Sequence, residues 1–411
     1  MKFKDFHINI KVRIIEIFIS SFIGGMIFPF MAIYFAKNYG EQITGILLTV
    51  IVFIGIIINL FGGYISDLYG RKTIMVYAGI GRFIAFFIMI ICNSPWFESV
   101  FITFLMMIVN IICWGVTEPA QQAMLIDVST LEQRKLMYSI TYWANNISIA
   151  IGGILGAFLF TDYLFELFIV LSFGSLITVI MIIFFIQESY FPNENEKVSP
   201  SFKMLELFKN YKVVFKDHLF IWYIIAGVLI LSMEFNLTNY IAIRLSEEFI
   251  NQQFIYWKIE GIQMLGFLRA ENTILVALFV LFTAKFVERF KDKSVLIIGS
   301  FLFVVGYGVI AYSNNIWLLV IMMIVATVGE VIRIPVEQSN MAALPDDHNR
   351  SSYMAIKSMS TNLSFLISSI IVTFSALFPS LFIAIIITCI GIVGILIYLV
   401  IYPKIQDRVK F

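Results

Sequence analysis

The chain has 411 residues, of which 60% are hydrophobic and only 13% are charged, and its mean hydropathy is +0.93. Soluble globular proteins carry about a quarter charged residues, so this composition excludes a soluble protein. Apolar runs of about 20 residues, the length that a helix needs to cross a bilayer, recur from end to end. They predict an all-α polytopic membrane protein. The net charge of +1 gives no sign of nucleic-acid binding.

Twelve membrane spans are predicted from the apolar runs. In chain order they cover approximately residues 12–36, 43–68, 73–93, 97–125, 138–160, 164–187, 218–243, 270–288, 294–313, 316–343, 351–376 and 379–402. Lys and Arg concentrate in alternate loops, as at Lys11 with Arg13 and at Arg134 with Lys135. Cytoplasmic loops carry the excess of Lys and Arg, so both termini are expected on the cytoplasmic side. The expected location of this multi-pass protein is the plasma membrane.

A polar, basic stretch divides the twelve spans into two halves. It predicts an N-terminal six-helix half at 1–188, a cytoplasmic linker at 189–217 and a C-terminal six-helix half at 218–411. The halves repeat in parallel, since Pro119 and Pro335 stand 216 residues apart and so do Arg134 and Arg350. Parallel repeats that flank a midplane site are typical of one class of secondary transporters.

The most specific motif is GGYISDLYGRK, between the second and third predicted spans. It resembles the signature G-x-x-x-D-[RK]-x-G-[RK]-[RK] of the major facilitator superfamily. The matching positions are Gly63, Asp67, Gly70, Arg71 and Lys72, and Leu68 replaces a basic residue. The resemblance implies a breakable cytoplasmic latch that holds the two halves together, with Asp127 and Arg134 as expected partners. A topogenic basic loop alone would explain the cations but not the Gly and Asp spacing.

Further segments resemble one group within this superfamily. QQAMLIDVSTLEQRK, TYWANNISIAIGGILGAFLF and VGEVIRIP look like multidrug/proton antiporters of the LmrP type. This similarity runs over essentially the whole chain. It implies the major facilitator fold, transport by alternating access, and embedded carboxylates that carry protons and face lipophilic, often cationic, compounds. Glu330 and Asp127 match acidic positions of that pattern.

The sequence also departs from the antiporter pattern. Thr141 and Asn236 stand where the resemblance leads us to expect acids. The antiporter motif of the fifth span, G-x-x-x-G-P-x-x-G-G, survives only as Gly152, Gly153 and Gly156. These departures leave the transport direction and the substrate specificity open, but not the fold.

Seven charged residues lie well inside predicted spans. They are Arg82, Glu118, Glu234, Glu330, Arg333, Glu337 and Lys357. Each costs about 3 kcal/mol or more at the centre of a bilayer, so such groups face protein or a wet cavity and form pairs. From their depths we predict two pairs, Glu337 with Lys357 and Arg82 with Glu118. Glu330 can also pair with Arg333, since the two are at i,i+3 on one helix.

Glu234 has no evident partner, and Glu330 lies near the middle of its span beside Pro335. Since burial disfavours the charged form of an unpaired carboxyl, such a group can hold a proton at neutral pH. The hypothesis is that Glu330, Glu234 and Asp127 couple transport to protons. For Glu330, a neutral structural pair with Arg333 is the alternative.

Polar and aromatic residues of the spans are candidates for a substrate cavity. They are Glu118, Arg333, Tyr34, Tyr142, Trp143, Asn146, Asn236 and Tyr240. Rings and acids together suit an amphipathic cation, although each residue alone is equally explained by helix packing.

Neither a nucleotide-binding motif nor a catalytic or metal-ligand cluster is evident in the sequence. The expected protein is therefore not an enzyme and has no cofactor and no metal. Its expected partners are a small-molecule substrate, protons and the lipid bilayer, with no nucleic acid, and we expect a monomer. Two alternatives stay open: export of an endogenous metabolite, metallophore or lipid, and import of a small nutrient or peptide.

Overall fold

The structure, a computed structural model, describes residues 5–189, 212, 214–254, 257–287, 289–344 and 350–409, which lie almost entirely in helices. Ten of these helical stretches are long and apolar enough to cross a membrane. One of them, Ile8–Asn59, has 52 residues, enough for two crossings, and Met359–Ser375 is a further, shorter apolar helix. The all-α polytopic architecture predicted from the sequence is confirmed.

The part of the chain described up to residue 189 contains six α-helices and one hairpin. The helices are α1 (Ile8–Ile27), α2 (Met31–Tyr69), α3 (Arg71–Ile91), α4 (Val100–Asp127), α5 (Leu131–Leu159) and α6 (Leu164–Phe185), with a 3-10 turn at Phe28–Phe30. Strands β1 (Asn93–Ser94) and β2 (Phe97–Glu98) pair antiparallel between α3 and α4. Inside α2, Gly40 has a φ of 77°, a backbone conformation that suits glycine. This break separates the first span from the second.

From residue 218 onward, the described ranges contain seven α-helices and a second antiparallel hairpin. They are α7 (His218–Thr238), α8 (Tyr240–Glu248), β3 (Gln252–Phe254), β4 (Trp257–Ile259), α9 (Gly261–Val287), α10 (Asp292–Ile310), α11 (Ile316–Ala343), α12 (Arg350–Ser375) and α13 (Ser380–Val409). Asn239 breaks the seventh span into α7 and α8. The predicted start of the eighth span at residue 270 is wrong, because α9 begins at Gly261 and so takes Arg269 into the helix.

The chain forms two compact units. The first comprises Met1–Asn38 with Thr49–Glu196, and the second comprises Tyr39–Leu48 with Lys197–Phe411. In the first, α1 packs on α5 and α6, and α3 packs on α4 and α6. In the second, α10 packs on α11, and α7 packs on α12 and α13. Each unit therefore has its own interior, in which buried polar groups can be considered separately.

Two of the three glycines left from the fifth-span motif allow α1 and α5 to approach closely. A Cβ atom at Gly152 would clash with the carbonyl oxygen of Phe22, and one at Gly156 with that of Met26. Nothing lies within 4 Å of a Cβ atom built at Gly153. The motif thus retains a packing function at two of its positions.

Gly152→Ala is therefore expected to lower the unfolding temperature, because overpacking costs about 1–3 kcal/mol. The adjacent Gly153→Ala is the matched control. It should leave the unfolding temperature unchanged or raise it, since Ala is a better helix former by about 1 kcal/mol. Thermal unfolding of the purified proteins in detergent measures both. Equal shifts in the two variants would contradict the packing explanation.

Candidate functional site

The second unit contains a buried group of charges, which we call the second-unit cluster. It consists of Glu234 on α7, Arg269 on α9, Tyr307 on α10, and Glu330, Arg333 and Glu337 on α11. The Glu234 carboxylate interacts electrostatically with Glu330, Arg333 and Arg269. The fully buried Tyr307 hydroxyl experiences the same four charges and has no hydrogen-bond partner among the described residues. Four helices thus bring titratable groups together inside one unit.

Glu330 is held by an amide rather than by a cation. Its side chain is only 9% exposed, and Asn272 Nδ2 of α9 donates to its Oε2 atom at 2.9 Å. The same Nδ2 atom donates to Thr327 Oγ1 at 3.0 Å. No Lys or Arg within the described ranges lies within 4.0 Å of this carboxylate. A neutral amide orients Glu330 without neutralising it.

Arg333 pairs with Glu337, four residues further along α11, so the Glu330–Arg333 pair that the sequence left as an alternative does not form. The Arg333 side chain is 3% exposed and lies over the Phe303 ring at 4.6 Å from its centroid. The predicted Glu337–Lys357 pair is also wrong, because Lys357 is exposed. Spacing of i,i+4 brings the partners together on one helix face, which leaves Glu330 without a direct counter-charge.

The charges of this region do not balance. Counting Glu234, Glu330 and Glu337 against Arg269 and Arg333, three acids face two bases, so full ionisation would give a net charge of −1. An uncompensated charge away from water is costly. The cluster can therefore lower its free energy by taking up one proton or one cationic group. This is the chemistry that a site for exchanging protons with a cation needs.

Sequence reasoning missed three polar residues of α9. Arg269 was treated as flanking a span, and Glu271 and Asn272 were not considered. The Glu271 Oε2 atom is enclosed and accepts no hydrogen bond from the described residues. The apolar segment GIQMLGFL before Arg269, read as helix, is the signal that could have placed all three inside the span.

Two predicted cavity residues of the second unit are enclosed by helix packing instead. Asn236 Nδ2 donates to the Ser232 carbonyl oxygen at 2.8 Å, and its Oδ1 atom accepts from Ser368 Oγ at 3.3 Å. The buried Tyr240 hydroxyl donates to the Ser380 carbonyl oxygen at 3.3 Å. Their hydrogen bonds are used within the unit, so packing is the role that the structure gives them.

In the first unit, the predicted Arg82–Glu118 pair is wrong. Arg82 Nε donates to Asn110 Oδ1 at 3.0 Å, and its guanidinium lies 5.3 Å from the centroid of the Trp114 ring. Glu118 is exposed and accepts a hydrogen bond from Trp114 Nε1 at 3.1 Å. The two charges are level on adjacent helices, as expected, but the Trp114 side chain links them.

A buried ion pair at the start of α1 was not foreseen. Arg13, which we had counted among the loop cations, pairs with Glu16 inside the helix, and both side chains are buried. Gln121 Nε2 of α4 donates to Glu16 Oε1 at 3.2 Å. The i,i+3 spacing of the two charges in VRIIEIF is a signal of such a pair.

The remaining predicted cavity residues of the first unit differ in exposure. Tyr34 is buried and donates to Asn93 Oδ1 at 2.7 Å, beside a cavity of about 320 Å³. Tyr142 and Trp143 are exposed, and Asn146 Nδ2 donates to the Tyr142 carbonyl oxygen one turn before it. The structure therefore leaves Tyr142 and Trp143 accessible and uses Tyr34 in packing.

The predicted latch region forms a contact network at the end of α2. Arg71 Nε donates to Asp127 Oδ2 at 3.3 Å, and Ser189 Oγ donates to the same oxygen at 3.0 Å. Arg134 Nη2 donates to the Ile126 carbonyl oxygen at 3.3 Å. The side chain of Asp67 and the surroundings of Gly63 lie outside the described part of the chain. Asp127 is thus joined directly to the motif.

Glu188, at the end of the sixth span, is a further partner of this motif that the sequence did not reveal. The backbone N–H groups of Arg71 and Lys72 donate to its Oε1 and Oε2 atoms, both at 3.0 Å. Gly70, with a φ of 91°, turns the chain so that these N–H groups are presented. A carboxylate at a helix N-terminus stabilises the helix, so Glu188 anchors the start of α3.

Comparison with known proteins decides the family. The sequence profile described as Major Facilitator Superfamily matches residues 15–249 and 257–410. The chain belongs to the major facilitator superfamily. As a member of this family it is a multi-pass membrane transporter rather than an enzyme. Within the described residues, no group of three or more His, Cys, Asp or Glu could hold a metal ion.

Named relatives of this major facilitator include a cation antiporter and a multidrug resistance protein. The chain is 29% identical over 389 residues to a Na(+), Li(+), K(+)/H(+) antiporter of Planococcus maritimus, and the match covers 92% of each protein. It is 26% identical over 348 residues to the multidrug resistance protein MdtH of Blochmanniella floridana, covering 82% of this chain and 79% of the relative.

Solved structures share the fold at lower sequence identity. The nucleoside transporter NupG superposes with a TM-score of 0.71 at 14% identity, covering 96% of this chain and 99% of that one. The peptide transporter POT in complex with sulfate gives a TM-score of 0.76 at 13% identity, covering 99% of this chain and 97% of that one. The predicted major facilitator architecture is confirmed.

Proposed function

We propose that this major facilitator is a proton-coupled antiporter that exports lipophilic, cationic compounds by alternating access. The observation that carries the proposal is the unbalanced second-unit cluster. Glu234 and Glu330 interact with each other, and neither has a Lys or Arg of the described chain within 4.0 Å. A site with one negative charge in excess can be occupied by a proton or by a cation, but holding both at once is unfavourable. Mutual exclusion of this kind is what an antiporter requires.

Asp127 belongs to the proposal through the latch. Its carboxylate accepts from both Arg71 and Ser189. Protonation of Asp127 would remove its charge and weaken the ion pair with Arg71, because a charge-assisted hydrogen bond is roughly twice as strong as a neutral one. In this proposal, Glu330 and Glu234 bind the transported proton and Asp127 couples protonation to the state of the latch.

An alkali cation is a second candidate substrate. The relative from Planococcus maritimus, matched over 92% of its length, is named for exchange of Na⁺, Li⁺ and K⁺ for H⁺. A carboxylate pair also suits a hard cation, which prefers oxygen ligands. The two candidates differ in the cation that exchanges for the proton, an organic cation or an alkali cation, so one assay can separate them.

The test uses inside-out vesicles that are acidified inside and contain a pH-sensitive dye. Addition of tetraphenylphosphonium is expected to release the dye quench, because protons leave as the organic cation enters. NaCl, LiCl and KCl are added in separate arms, with vesicles that lack the protein as the control. Quench release by the salts alone would favour the alkali-cation candidate. The absence of release in every arm would overturn proton antiport.

A further inference from the structure

The first unit contains a group of charges that the proposed proton exchange does not use. It comprises Arg13, Glu16 and Gln121, described above, together with Arg82 on α3 and Asn110 on α4. Arg13 and Glu16 neutralise each other in a direct buried pair, and Gln121 occupies the other carboxylate oxygen. Counting Arg13 and Arg82 against Glu16 leaves one positive charge in excess. That charge belongs to Arg82.

Arg82 lies deep in the span and is only partly satisfied. It stands 11 residues after Arg71 on α3, about 16 Å along the helix axis. Asn110 Oδ1 accepts from its Nε atom, but no other described residue accepts a hydrogen bond from the guanidinium. Arg82 is half-buried, and among the described residues both of its Nη groups keep some accessible surface. A guanidinium with a free outer edge remains inside the membrane.

Two aromatic rings fix the orientation of the Arg82 guanidinium. The guanidinium lies 5.7 Å from the Phe86 ring centroid and 5.3 Å from that of Trp114. The two rings and the Nε bond to Asn110 hold the planar group. Its two Nη groups can then bind the two oxygens of a carboxylate, the bidentate geometry that Arg favours. Within the described residues, no carboxylate lies within 4.0 Å of Arg82 to take that place.

The indole N–H group of Trp114 also binds an acidic side chain. Trp114 Nε1 donates to Glu118 Oε2 at 3.1 Å, one turn further along α4, and Glu118 is exposed. The Trp114 side chain therefore has a cation over its face and an accessible carboxylate at its edge. A ligand with one positive and one negative group can contact both and lie against the ring. An aromatic face between opposite charges suits an amphipathic molecule.

We propose that Arg82 binds an acidic group of the substrate and that Glu118 receives its cationic group, so that the substrate class is an amphipathic zwitterion. This inference rests on the proposed function only for the substrate class, a compound with a cationic group, and it assigns binding groups in the first unit that are separate from the proton-exchanging carboxylates of the second-unit cluster. Arg82 and Glu118 carry opposite charges, so a ligand with one acidic and one basic group offers each of them a counter-charge, whereas a bare alkali cation would leave Arg82 without one.

The experiment compares two dyes that differ at a single group. One is a cationic rhodamine methyl ester, and the other is its zwitterionic free acid. Their binding to the purified protein in detergent is measured by fluorescence anisotropy at neutral pH, without any proton gradient. The unmodified protein is expected to bind the free acid about tenfold more tightly than the ester, the typical size of one charge-assisted bidentate contact.

Variants assign that preference to residues. Arg82→Gln is expected to remove the preference because it weakens the binding of the free-acid dye alone. Arg82→Lys should keep part of the preference because the positive charge remains. Glu118→Gln should weaken both dyes alike. Equal binding of the two dyes by the unmodified protein would overturn the inference even if no variant folds. An equal loss of both dyes in Arg82→Gln would overturn it too. Since no gradient is used, failure of proton exchange in vesicles is a separate result.

Discussion

Glu330→Gln is expected to reduce proton-driven accumulation of a lipophilic cation in inside-out vesicles by at least about tenfold, equivalent to ~1.4 kcal/mol. The amide has the shape of the carboxyl but cannot ionise. Asn272 can still donate to its oxygen, as it does to Glu330 Oε2, so the local packing is retained. The variant should therefore fold, bind the dye and fail in coupling. Initial uptake rates with and without an imposed pH gradient provide the measurement.

Two further variants make this result specific. Glu234→Gln should show the same defect, and the double variant should add little to it, because residues that act as one unit are non-additive. Glu260→Gln replaces an exposed carboxylate just before α9 and serves as the control, with uptake expected unchanged. Full gradient-driven uptake by Glu330→Gln would remove Glu330 from the proton path.

Arg333→Met is expected to destabilise the protein by about 3 kcal/mol, because it leaves the Glu337 carboxylate without its partner in a largely enclosed site. The double variant Arg333→Met with Glu337→Leu should recover most of the loss, since removal of both charges of a buried pair is often neutral. Urea or thermal denaturation in detergent, followed by near-ultraviolet circular dichroism, compares the three proteins.

Lys357→Met is the matched control for this pair. Lys357 is exposed, so its replacement should change the free energy of unfolding by less than about 0.5 kcal/mol. If Lys357→Met destabilised the protein as much as Arg333→Met, Glu337 would be paired with Lys357 after all, and the description of α11 would be incorrect.

The spans could be predicted from the sequence because hydropathy and helix length are local properties. The predicted tenth span, 316–343, coincides with α11 (Ile316–Ala343). The eighth span was predicted nine residues late, since its first turns carry Gln263, Arg269, Glu271 and Asn272. Polar groups that other helices satisfy lower the hydropathy of a segment without preventing it from entering the membrane.

The ion pairs could not be predicted in the same way. Depth along a helix follows from 1.5 Å per residue, and Arg82 and Glu118 do lie near one Trp114 side chain. The rotation of each helix about its axis is set by packing across the whole unit, and it decides which side chains meet. The similar depths of Lys357 and Glu337 in their spans predicted that the two would pair, whereas Lys357 is exposed in the structure. The two pairs predicted from depth, Glu337–Lys357 and Arg82–Glu118, are wrong for this reason. Glu330–Arg333 lies within one helix, where Arg333 pairs with Glu337 at i,i+4 instead.

Contacts set by local chain geometry were within reach of the sequence. Arg13 with Glu16 and Arg333 with Glu337 follow i,i+3 and i,i+4 spacing. They were missed because Arg13 was treated as a topogenic cation and Arg333 was assigned to Glu330. Contacts between distant segments, such as Asn272 with Glu330 and Glu188 with the start of α3, depend on tertiary structure.

Proton release on substrate binding measures most directly whether the substrate displaces a proton from Glu234 and Glu330. The purified protein is placed in weakly buffered detergent with a pH-sensitive dye, and tetraphenylphosphonium is added. The excess of one negative charge in the second-unit cluster predicts release of about one proton per transporter. The double variant Glu234→Gln with Glu330→Gln should bind the cation much more weakly and release no proton. Equal release from the double variant, or cation binding without release in the unmodified protein, would contradict proton exchange at this cluster.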